Sequence, residues 1–144
     1  MNRRFYAPFA RIDSSEQAQT MRGYAVWAFI LWSGVSALNA VAISGGAVAG
    51  ADSEVAMLKM VQAMFALGMA ALCRFKPNPV WCGIGVAWMC FELSSALVDL
   101  LVGASAQRTA YGTVSAIVIP IVLLMCGIAH AGALRAANWL IRKG

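Results

Sequence analysis

Residues 80–104 read VWCGIGVAWMCFELSSALVDLLVGA. A helix over this run rises about 1.5 Å per residue, enough to cross the roughly 30 Å hydrocarbon core of a bilayer. The run carries two acids, Glu92 and Asp99, and no base. The rest of the chain says what kind of solvent surrounds them. Of 144 residues, 61% are hydrophobic and only 12% are charged. An ordinary soluble domain carries about a quarter charged residues. A soluble chain this short could not hide so much apolar surface in one core, so lipid must be part of its solvent.

Three further apolar stretches reach the spanning length of about 20 residues. Together they predict helices at about 23–44, 54–74, 80–104 and 112–137. The fold class expected is all-α: a polytopic membrane protein built as a bundle of four transmembrane helices. The connectors 45–53, 75–79 and 105–111 leave no room for a soluble domain. The chain therefore divides into an interfacial or cytoplasmic segment, 1–22, and a four-helix transmembrane domain, 23–144, ending in a short basic tail. The first apolar stretch is longer than the 7–15 residues or so of a signal-peptide core and follows a polar segment, so it reads as a retained anchor.

Basic residues fall unevenly. Arg3, Arg4, Arg11 and Arg22 precede the first helix, Arg74 and Lys76 flank the second connector, and Arg135, Arg142 and Lys143 end the chain. Arg108 stands alone in the third connector, and the first connector carries Asp52 and no base. The positive-inside rule then puts both termini and the 75–79 turn in the cytoplasm. The reading is a multi-pass protein of the bacterial inner (plasma) membrane. The net charge of +5 is this topology signal, aided by anionic lipid. No basic stripe with interleaved aromatics marks a nucleic-acid surface.

"RRFYAPFARI", Arg3 to Ile12, mixes arginines with aromatic residues and suits either the headgroup layer or a disordered tail. Asp13, with Glu16 three residues on, resembles a helix N-cap with an acidic first turn, so helix 1 could begin near Ser14. "KPNPVW", Lys76 to Trp81, is a tight turn with Pro79 in the first turn of helix 3. It predicts an antiparallel hairpin of helices 2 and 3. Pro120 lies inside helix 4, where it removes a hydrogen bond. Ala129, Ala133 and Ala137 give that helix a small-residue face for close approach.

Depth along each helix makes the polar residues informative. Asp99, Lys59 and Asn39 each lie five residues from the outer end of their predicted helix, about 7–8 Å deep. The expectation is an ion pair between Lys59 and Asp99, with Asn39 able to donate a further hydrogen bond. Glu92 lies one heptad before Asp99, near the bilayer centre, with no base at its own depth. Its expected neighbours are Ser33 and Gln62. An ionisable residue at that depth is either helix-to-helix glue or a proton or cation site. His130, the only histidine, reads as a hydrogen-bonded side chain near the inner end of helix 4, or as the inner relay of a proton path with Glu92.

Cys73, Cys82, Cys90 and Cys126 show no Cys-x-x-Cys and no metal-ligand spacing. No phosphate loop, catalytic triad or His-Glu-x-x-His occurs. No catalytic residue, metal or cofactor is expected. Two function classes remain. One is a non-enzymatic accessory, assembly or scaffold subunit of a larger membrane complex, with other membrane subunits or further copies of itself as partners. The other is a small proton- or cation-coupled transporter or channel, with Glu92 as the binding site, Asp99 and Lys59 as outer gate and His130 as inner relay. The absence of a catalytic set and the tiny loops favour the first.

Overall fold

The computed structural model describes residues 7–46, 53–76, 78–102 and 110–143, with all side chains in them except those at 99, 100, 102 and 110–115. The described residues form four helices: α1 (Ser15–Ser44), α2 (Ser53–Phe75), α3 (Pro79–Val102) and α4 (Ala110–Lys143). All four are long and apolar enough to cross a membrane. In the most apolar window of α3 only 17% of residues are buried inside the molecule. Trp27, Leu38, Met64, Phe91 and Met125 all point outward. A surface this apolar is compatible with lipid around it.

The helices do not pack evenly. α1 lies against both α2 and α4, α4 also holds α3, and α2 and α3 approach each other only sparsely. The reason is side-chain size. α1 offers Ala25, Ala28 and Ala40, and α2 answers with Ala56, Ala63, Ala66 and Ala70, all buried. Without a hydrophobic force between helices in lipid, small residues that admit close backbones decide which helices pair. The approach is close enough for the short Ser33 side chain to donate to the Ala63 carbonyl at 2.8 Å. Cys126 likewise reaches the Ala28 carbonyl from α4 at 3.5 Å. Helices 2 and 3 follow each other as the antiparallel hairpin that their turn predicted, though not a closely packed one. Their turn is tight, with Lys76 N–H on the Leu72 carbonyl and Asn78 capping α3, yet bulky side chains keep the two helices apart.

The outer helices also run further than hydropathy suggested. α1 starts at Ser15 rather than 23, and α4 continues to Lys143 rather than 137. Hydropathy marks only what sits in hydrocarbon, whereas a helix continues wherever its ends are capped and packed. Ser14, not Asp13, is the N-cap: its side chain accepts from Gln17 N–H at 3.2 Å. Asp13 lies one residue too early for that reach, and instead its backbone N–H donates to Gln17 Oε1 at 3.0 Å. At about 1.5 Å per residue, α1 and α4, with 30 and 34 residues, outreach α2 and α3, with 23 and 24, by about 10–15 Å. The extra turns share a small core of their own: Ala18 and Met21 of α1 meet Ala136 of α4, flanked by Ile12, Tyr24, Trp139 and Leu140. Both chain ends thus emerge at one end of the bundle. At the other end of α1, Gly46 adopts φ 73°, a left-handed conformation that favours glycine.

The segment before α1 folds back over α4. Arg135 donates to the Pro8 carbonyl at 3.2 Å and lies 5.7 Å over the Phe9 ring. Gln17 donates to the Arg11 carbonyl at 2.7 Å. Pro8 rests on Gly132, where an added Cβ would come within 2.8 Å of the proline ring. Gly132→Ala should therefore lift this strap. The expected result is faster tryptic cleavage after Arg11, with global stability changed by less than about 1 kcal/mol; limited proteolysis beside a thermal melt checks both.

Candidate intramembrane polar site

Where α2 and α3 stand apart, four long side chains fill the gap. On α2, Lys59 and Gln62 are three residues apart and share a face; on α3, Trp88 and Glu92 are four apart and do the same. Lys59 donates to Gln62 Oε1 at 3.1 Å. Gln62 in turn donates through Nε2 to Glu92 Oε1. Trp88 Nε1–H donates to the same oxygen at 3.0 Å. Lys59 Nζ stands 4.0 Å from Glu92 Oε2. One turn inward, the Phe65 ring packs on Trp88 with centroids 4.6 Å apart and fixes the indole. The charges sum to zero, and each polar group has a partner from its own chain.

Depth explains the geometry. Lys59 lies six residues from the start of α2, about 9 Å, and Glu92 ten residues from the end of α3, about 15 Å. A lysine in a membrane usually reaches outward to the headgroups. Here it reaches inward to the carboxylate, with Gln62 as a stepping stone. No base stands at the level of Glu92 itself, but the length of the lysine side chain spans the difference in depth. Ser33, expected beside Glu92, instead donates to Ala63. The expected pair of Lys59 with Asp99 falls outside the described side chains. Asn39 is half-buried on α1. Trp88 was not among the expected neighbours of Glu92; its four-residue spacing from Glu92 on one helix is the signal that could have found it.

His130 is placed elsewhere. It is fully buried, its Nδ1 lies 2.7 Å from the Cys126 carbonyl, and the Phe29 ring stands edge-on at 4.3 Å between centroids. Nε2 has no hydrogen-bond partner among the described residues. The ring lies directly on Gly85 of α3, where an added Cβ would fall 2.0 Å from Cδ2. Gly85 precedes Glu92 by seven residues, about 10 Å along the helix. Among the described residues no hydrogen bond connects His130 to the Glu92 cluster. The imidazole acts as a packing wedge between α1, α3 and α4. Among the described residues no three His, Cys, Asp or Glu side chains converge as metal ligands do.

α3, the least buried span, therefore packs on α4, with Gly85 under His130 and the buried Cys82 and Met89 in the shared core, and it meets α2 chiefly where Glu92 faces Lys59 and Gln62. Comparison with known protein families, curated proteins and solved structures found no match to this chain.

Proposed function

We propose that the protein is a non-enzymatic accessory, assembly or scaffold subunit of a larger complex in the bacterial inner membrane, with both termini cytoplasmic. The observation that carries this reading is the closure of the Glu92 cluster. A carboxylate that serves transport must exchange its partner for a proton or a cation. Glu92 instead has donors from Gln62 and Trp88 and the charge of Lys59, all from its own chain, and these contacts join two helices that otherwise scarcely pack. Intramembrane polar groups used this way are glue. The sidedness rests on charge: Arg11, Arg22, Arg74, Lys76, Arg135, Arg142 and Lys143 all sit at the end where the termini emerge.

One observation favours the second reading, a small proton- or cation-coupled carrier. The Lys59 and Glu92 side chains keep 30% and 18% of their surface accessible, and their 4.0 Å separation is long for an ion pair. Outward movement of Lys59 would free the carboxylate for another cation. The two readings diverge on purification from native membranes in mild detergent. A subunit brings stoichiometric partner chains with it. A carrier arrives as this chain only and, in liposomes, supports proton or cation flux that Glu92→Gln abolishes.

A further inference from the structure

The step between long and short helices creates a ledge. α2 and α3 end at the Arg74–Asn78 turn, while α1 and α4 continue past it. Arg22 lies seven residues into α1, about 10 Å from its start, which is the level where α2 ends. It is half-buried on the helix that packs along α2, and the turn that follows α2 carries its own cations, Arg74 and Lys76, both exposed. None of the three has an ion-pair partner among the described residues. The acids described at this end are Asp13, paired with Arg11 at 3.1 Å, and Glu16, at the start of the projecting part of α1. Three cations without an ion-pair partner among the described residues thus share the level where the apolar spans of α2 and α3 stop.

We infer that this ledge, Arg22 with Arg74 and Lys76, binds the phosphate of an anionic phospholipid headgroup. The lipid fits for a reason of position. The face below the ledge is apolar, with Phe75 and Val80 exposed directly beside the cations. A molecule that satisfies both must carry an anionic head on acyl chains. The projecting turns of α1 and α4 form the wall behind the head. Guanidinium and ammonium groups together suit a phosphate, the first by paired donors and the second as a point charge.

The test uses the full chain in detergent, titrated with phosphatidylglycerol or phosphatidylcholine and read by native mass spectrometry and thermal unfolding. Wild type should retain phosphatidylglycerol adducts in preference to phosphatidylcholine. Arg22→Gln, Arg74→Gln and Lys76→Gln combined should erase that preference, with affinity falling about fivefold for each cation removed. Arg142→Gln with Lys143→Gln, which removes charge from the projecting tip of α4, should leave the preference intact. Equal binding of the two lipids by wild type overturns the inference whether or not the triple variant folds. So does an equal loss in the tip variant, which would mean diffuse attraction rather than a site. Stabilisation by inorganic phosphate equal to that by the lipid also overturns it, because the ligand would then be a soluble anion.

Discussion

Lys59→Met is expected to destabilise the protein by about 1–3 kcal/mol, the scale of leaving a partly buried polar group without one of its partners. Glu92→Leu should cost less. The two differ because their survivors differ. After Glu92→Leu, Lys59 has a long flexible chain about 9 Å from the start of α2 and can swing outward toward that end. After Lys59→Met, the carboxylate is left about 15 Å deep on a short chain, with only Gln62 and Trp88 to satisfy it. Chemical denaturation of both variants in the same detergent gives the order. A larger loss for Glu92→Leu would mean that the carboxylate, not the lysine, is the member whose partner cannot be replaced.

Gly85→Ala should be the second large effect. The new methyl would overlap the His130 ring, at 2.0 Å from Cδ2 and 2.4 Å from Nε2. The ring cannot retreat, because Phe29 backs it at 4.3 Å and its Nδ1 is bonded to the Cys126 carbonyl. Helix α3 must move instead, and overpacking of this kind typically costs about 1–3 kcal/mol. The decisive comparison is with His130→Ala. If the wedge is what forbids a side chain at position 85, the double variant will be more stable than the sum of its single effects implies, with a coupling of about 1–3 kcal/mol. Additive losses would show that α3 is excluded by something other than the imidazole.

Much of this fold could be read from the chain alone. Four helices long and apolar enough to span a membrane follow from length and hydropathy, because lipid demands unbroken apolar helices. What hydropathy cannot register is packing. The wide spacing of α2 and α3 depends on alanines drawing α2 to α1, and α4 runs unbroken past Pro120 to a pairing with α1 that lies beyond the apolar window. The site shows the same division. Glu92, Gln62 and Lys59 stood out because polar groups are rare in such helices. Pairing Lys59 with Asp99 followed from matching the depth of backbones, and Asp99 lies outside the described side chains. A lysine side chain spans about four bonds beyond Cβ, so its charge can act a full turn from its own level. His130 was visible as a residue, but its burial against Gly85 belongs to the three-dimensional fit of two helices distant in sequence.

The clamp and the carrier part most sharply on a variant without charge at the seam. Lys59→Met combined with Glu92→Gln removes both ions and keeps a carbonyl oxygen where Gln62 and Trp88 donate. If the pair is structural, this double variant should unfold within about 1 kcal/mol of wild type and well above Lys59→Met, and it should co-purify with the same partner chains. A double variant that folds as wild type does but has lost a proton or cation flux present in the parent would contradict that, and would make Glu92 a binding site.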